Sequence, residues 1–142
     1  MLIKLLPEQV EQAWEQIAPM IGQSLPPGTE KTRRALTNIL ISILEERGTC
    51  WALYTEDELH AILVTYQQRD RLTRGKFLVI YSAYSIKNVT RDAWNQTIGT
   101  LKKYAGEQNC RSVVFYTTDE KFARLAEIQG IDNHFHMITM EV

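Results

Sequence analysis

The sequence predicts an α/β fold: a mixed, twisted sheet built around an antiparallel meander and flanked by four helices. Three observations predict it. Apolar spacing is helical over residues 7–21 and 30–47, turns strand-like over 49–55, 59–67 and 76–85, then alternates helix with strand. At 142 residues the chain has room for one domain, spanning 1–142. All four prolines lie at or before Pro27, so none interrupts the later elements.

Residues 1–6 read as a short strand. Pro7 suits the first turn of a helix, where its missing N–H costs nothing, and Val10, Ala13, Trp14, Ile17 and Ile21 give that helix one apolar face. Pro19 is expected to kink or end it. After the loop 24–29 a second helix runs over 30–47, with Leu36, Ile39, Leu40, Ile43 and Leu44 as its buried stripe and Gly48 as its stop. The meander strands are separated by a polar turn, Glu56-Asp57-Glu58, and by a polar stretch ending in Gly75. Thr90 caps a third helix that buries Trp94, Ile98, Leu101 and Ala105 and ends at Gly106. Residues 112–116, SVVFY, form a continuously apolar strand of the kind buried on both faces. A capping box, Thr117-Thr118-Asp119-Glu120, opens a fourth helix with Phe122, Leu125 and Ala126 inward and Gly130 at its close. Residues 134–142 finish as a strand.

Sixteen basic residues against seventeen acidic ones give a formal charge of -1, which excludes a general electrostatic grip on nucleic acid or anionic membrane. Local clusters remain: Arg69, Arg71, Arg74 and Lys76 crowd one turn opposed only by Asp70, and Lys31, Arg33 and Arg34 open the second helix against its dipole. The first cluster reads as a solvated hairpin tip or, in the alternative, as a grip for phosphate, acidic protein or nucleic acid, and it is the surface expected to meet a protein partner. Cys50 and Cys110 have no metal-binding or disulfide spacing and read as buried or half-buried thiols. His134 and His136 share one face of the last strand, with only Asp132 nearby, and read as surface histidines without a metal. No apolar run reaches bilayer length and no signal-peptide pattern opens the chain, so a cytoplasmic location is expected. Trp14, Trp51 and Tyr54 read as core, and Asp57 and Glu58 as solvated charges.

The element order β-α-α-β-β-β-α-β-α-β resembles the GNAT family, the acetyl-CoA-dependent N-acetyltransferases, over essentially the whole chain. The most specific stretch is 101–131, LKKYAGEQNCRSVVFYTTDEKFARLAEIQGI, with Gly130-Ile131 where the family ends a helix in Gly-Phe. Within the family the chain is similar to small, divergent members found among tailed phages.

The resemblance implies that acetyl-CoA lies between strands 76–85 and 112–116, its pantetheine arm on the backbone of Ala83, Tyr84 and Ser85. The family's pyrophosphate loop, Gln/Arg-x-x-Gly-x-Gly/Ala, falls on residues 85–92. Here no glycine stands between Gly75 and Gly99, so the side chains of Lys87, Asn88 and Thr90 would have to replace the glycine-rich backbone, and Asp92 would repel a pyrophosphate. The family's general-acid Tyr position holds Ala126, and the Asn often found at the start of that helix is Thr118 or Asp119. Tyr84 and Tyr116, with Tyr81 beside them, are the substitutes on strands lining the cleft. No Asp or Glu lies between Asp70 and Asp92 to act as a base. Trp94 stands where the family keeps a small residue against the cofactor, and would fill that cleft.

Two functions follow. The chain is an acyl-CoA-dependent N-acyltransferase with an altered cofactor loop and an amine acceptor, or it is a catalytically silent GNAT-like pseudoenzyme that acts through a macromolecular partner, such as a phage accessory or morphogenesis protein.

Overall fold

The computed structural model describes residues 1–26, 28–116, 122–124, 127, 138, 140 and 142. Its elements, in chain order, are β1 (Leu2–Lys4), α1 (Pro7–Gln12), α2 (Trp14–Gln23), α3 (Arg33–Leu44), β2 (Gly48–Thr55), β3 (Glu58–Arg69), β4 (Lys76–Ser85), α4 (Arg91–Glu107) and β5 (Val113–Phe115). The strands lie in the order β1-β2-β3-β4-β5. Every pair is antiparallel except β4 with β5, which run parallel across the α4 crossover. The expected mixed sheet with its meander is therefore present.

Alternation along the strands sends side chains to two cores. On one face Trp51, Leu53, Leu63, Leu78 and Ile80 pack under α4 through Leu101 and Ala105. Trp51 is buried, and its indole N–H donates to Thr65 Oγ1 at 2.9 Å. On the other face Cys50, Ala52, Ile62 and Val64 meet Val10, Ile17, Ile21 and Ile43 from the N-terminal helices. Tyr54 and Trp14 are half-buried against this second core.

Several boundaries differ from expectation. The first helix is two helices, broken at Ala13 (φ -99, ψ 11), while Pro19 sits inside α2. One lost backbone bond at a proline costs about 3 kcal/mol. Burying Ile17 and Ile21 returns about 1.5–3 kcal/mol each, enough to hold α2 together through it. Gly48 does not stop α3, and Gly106 does not stop α4. Each helix ends instead on a side-chain-bearing residue with positive φ, Glu46 (59°) and Asn109 (60°). The Arg47 amide reaches Ser42 O at 2.8 Å and the Cys110 amide reaches Ala105 O at 2.8 Å, so both are Schellman-type ends. Gly48 instead opens β2. Leu44, expected in the α3 stripe, is exposed, and Ile98 is half-buried on α4. β5 is half-buried rather than buried on both faces.

The turn Glu56-Asp57 has positive φ at both residues (52° and 61°), matching the twist of a two-residue hairpin between Thr55 and Glu58. The capping box at 117–120, the residues Leu125, Ala126 and Gly130, and His134 and His136 lie outside the described residues.

Cys50 is fully buried and Cys110 half-buried, as expected of unpaired thiols. Desolvation pushes the Cys50 thiol up to about 12. Its thiolate at pH 8 is then on the order of one molecule in ten thousand. We expect a thiol reagent at pH 8 to label Cys110 and leave Cys50 untouched until denaturant is added. Labelling of both at equal rates in the native protein would contradict this burial.

Candidate functional site

β4 reads KFLVIYSAYS, and its pairing with β3 slips by one residue in the middle. Thr65 opposes Ile80 and Val64 opposes Ser82, which leaves Tyr81 as the extra residue of a bulge. A bulge bends its strand and sharpens the twist. Here it falls where β5 parts from β4, because the last parallel pair is Ile80 with Phe115. Beyond it, residues 81–85 keep β3 on one side and have no strand on the other among the described residues. Among the described residues the parallel pairing thus ends with Tyr81 and Tyr116 next along each strand, and this end of the β4–β5 pair is the fork.

The register places the residues along this open edge. Ala83 faces α4 and packs against the Leu53–Leu63 core. Tyr84 pairs with Ile62, so it points to the opposite face, and Ser85 pairs with Ala61 at the end of the strand. Tyr81 also faces the N-terminal helices, its ring 5.7 Å from that of Tyr66 and tilted by 71°. Tyr66 is half-buried. Desolvation, then the neighbouring Tyr116 and Tyr81 phenols, raises its pKa and holds it protonated. Tyr66, Tyr81 and Tyr116 therefore gather on one face. Tyr66 and Tyr81 line a groove of about 780 Å³ whose far wall is α3, through Asn38, Ser42 and Glu46.

The loop after β4 is held by its own hydrogen bonds. The amides of Ile86 and Lys87 both reach His60 O, at 2.8 and 3.4 Å. Ser85 Oγ donates to the Lys87 carbonyl, and Lys87 Nζ is paired with Glu58. That ammonium is the largest influence on Glu58, holding its carboxyl below the usual carboxylate range. Thr90 caps α4, its Oγ1 accepting the Ala93 amide at 3.1 Å. Asn88 is exposed, and Asp92 sits in the first turn of α4. Of the side chains suggested as a substitute phosphate cradle, Lys87 and Thr90 are thus already engaged and Asn88 is not.

Trp94 fills the α4 side of the fork. It is buried, with its ring 6.4 Å from Phe115 and 5.1 Å from Phe122. Phe115 and Phe122 meet edge to face at 5.1 Å. Among the described residues the buried indole N–H of Trp94 has no hydrogen-bond partner.

Arg69, Arg71, Arg74 and Lys76 sit at the β3–β4 turn, at the other end of β4 from the fork. Lys31, Arg33 and Arg34 stand at the start of α3. The end of α3 leads into Gly48, which pairs with Tyr66.

Glu58 is exposed, as expected of a solvated charge, and is joined there by Lys87 from the loop after β4. Tyr66 is the residue that strand periodicity does not single out: the β3–β4 register sets it opposite Val79, next to the bulge. Among the described residues no His, Cys, Asp or Glu cluster could hold a metal, and no helix is long and apolar enough to cross a membrane.

No protein-family model matches the chain, and no curated protein matches it by sequence. Solved structures do match. An AAC(6')-Iy structure in complex with the bisubstrate analogue CoA-S-monomethyl-acetylneamine superposes with a TM-score of 0.74 at 11% identity, covering 100% of this chain and 97% of that one. A ribosomal-protein-alanine N-acetyltransferase from Brucella melitensis biovar Abortus 2308 gives 0.69 at 10% identity, with 100% and 99% covered. A GNAT family acetyltransferase from Staphylococcus aureus gives 0.67 at 9% identity, with 100% and 98% covered. At such identities the likeness is one of backbone: the mixed sheet and its helices have the fold of the GNAT acetyltransferases.

Proposed function

We propose that the chain is an acyl-CoA-dependent N-acyltransferase of the cytoplasm, working on an amine acceptor in one domain spanning 1–142. The observation that carries this reading is the fork, where a bulge at Tyr81 coincides with the last β4–β5 pair and, among the described residues, leaves the edge of β4 beyond it unpaired. Unpaired strand backbone is a ready partner for the amides of an extended pantetheine arm. Ala83, Tyr84 and Ser85 supply that edge, and Lys87, Asn88 and Thr90 lie where its phosphates end.

In the reaction the acceptor nitrogen attacks the thioester carbonyl, a C–N bond forms, and the C–S bond breaks. Tyr116 gives its hydroxyl proton to the departing sulfur. The surplus proton on nitrogen passes to water, since β4 carries no carboxylate, and solvent reprotonates the phenolate. Tyr116 is better placed for this than Tyr84, because it directly follows Phe115, the last residue paired with β4.

A second reading is favoured by the loop: its first amides and Lys87 are spent on His60 and Glu58. On that reading the chain is a silent GNAT-like protein, of the phage accessory or morphogenesis kind, acting through the basic turn. Calorimetric titration with acetyl-CoA, and with CoA as control, separates the two. Micromolar binding is expected for the transferase. No binding at millimolar cofactor retires it.

A further inference from the structure

We propose that the β3–β4 turn is a docking finger for an acidic protein segment that carries an apolar residue. This surface lies at the far end of β4 from the fork and needs no acyl transfer.

The finger is built, and the bonds that build it are specific. Asp70 Oδ1 accepts the amides of Leu72 and Thr73, each at 2.8 Å, in the manner of an Asx turn. The Arg74 amide reaches Asp70 O at 2.8 Å, and the Asp70 amide reaches Gly75 O at 2.7 Å. Arg69 Nη1 donates to Arg74 O at 2.9 Å. Arg74 itself holds φ at 67°, a conformation costing a side-chain-bearing residue about 1–2 kcal/mol and one that glycine or asparagine would adopt more cheaply.

The arrangement concentrates cations. The only acid at the turn, Asp70, has its carboxylate committed to the backbone amides. Arg111, forty residues away in sequence, joins the cluster from the α4–β5 connection: its amide donates to Lys76 O at 2.7 Å. A Cβ placed on Gly75 would lie 3.4 Å from both Cδ and Nη1 of Arg111, so the absent side chain lets that arginine lie along the turn. The ion pairs among the described residues are elsewhere, at Arg47–Glu45 and around Glu58. Among the described residues, the guanidinium and ammonium groups of Arg71, Arg74, Lys76 and Arg111 are thus left without a carboxylate. At the tip, between Arg71 and Arg74, Leu72 is 94% exposed.

That apolar tip decides between polyanions. A phosphate backbone offers nothing to a leucine, and the turn has no aromatic side chain on which a base could stack. With a formal charge of -1, the rest of the chain is net acidic and would repel a long nucleic acid beyond the finger. An acidic protein segment meets both features, with carboxylates for the bidentate arginines and an apolar side chain against Leu72.

The test uses fluorescence anisotropy on the full-length protein. The probes are a labelled Glu-rich peptide with a central Leu, the same peptide with Ser in its place, and a short DNA duplex. The Leu peptide is expected to bind in a salt-dependent way. Reversing Arg71 and Arg111 to Glu is expected to weaken it by about tenfold, equivalent to about 1.4 kcal/mol. Leu72→Ser is expected to weaken the Leu peptide severalfold and leave the Ser peptide unmoved. These positions are at the surface, and an unchanged thermal melt verifies folding. Failure of the Leu peptide to bind, equal binding after charge reversal, or tighter binding of the duplex than of the peptide overturns the proposal. Each outcome is independent of whether acetyl-CoA binds.

Discussion

Trp94→Gly is expected to lower the stability of the protein by about 1–5 kcal/mol and to raise its affinity for acetyl-CoA by about tenfold. The first effect follows from burial: the indole packs on Phe115 and Phe122, and truncating a buried Trp costs about 3–5 kcal/mol. Glycine inside a helix adds about 1 kcal/mol. An opposing term comes from the indole N–H, which lacks a partner, because relieving a buried unpaired donor recovers about 1–3 kcal/mol. The net is about 1–5 kcal/mol, a fall in melting temperature of roughly 3–17 °C. The second effect follows from position, since Trp94 occupies the α4 side of the fork where a pantetheine arm would run. Thermal melts and calorimetry below the transition read the two effects separately. Should a folded Trp94→Gly protein bind acetyl-CoA no better than the parent, Trp94 is packing alone.

Tyr116→Phe is expected to lower kcat for acetyl transfer by about 10²–10³-fold with little change in KM. Loss of a hydroxyl from a residue beside the fork leaves the ring, so binding surface is retained. Tyr84→Phe is expected to cost far less, because Tyr84 lies beyond the bulge. A structural role for Tyr116 would predict the same loss for every acyl donor. A proton-donating role predicts otherwise: an acyl thioester of a more acidic thiol needs no proton on departure and should restore most of the rate. If the variant is equally impaired with both donors, the assignment fails.

The general architecture is legible in the amino-acid sequence because burial writes period into it. The change from helical to alternating spacing near residue 48 marks the meander, and the apolar run 113–115 marks the parallel strand. Glycine misleads where helices end. Gly48 and Gly106 are conspicuous in the sequence, yet Glu46 and Asn109 take the left-handed conformation, since main-chain bonds to Ser42 and Ala105 hold them there. Pro19 misleads in the same way: local propensity opposes a helix that tertiary burial maintains.

The candidate site is less legible than the fold. Tyr81 and Tyr116 are visible as tyrosines on strands, but their grouping with Tyr66 depends on a one-residue bulge that periodicity does not announce. The missing glycines of the loop after β4 are plain in the sequence. That Lys87 is committed to Glu58 is not, because the two are brought together only by strand register. Arg111 reaches the basic turn for a similar reason, through the parallel pairing of β5 with β4.

The strand order has a consequence for how the protein is made. From β1 to β5, position in the sheet follows position in the chain, so each strand docks on the one synthesised before it. β1 waits for α1–α3 before β2 reaches it, and β5 waits for α4; in each case the intervening helices form a layer that covers the sheet. Between these joins the β2–β3–β4 meander, whose strands follow one another through turns alone, can form as it leaves the ribosome.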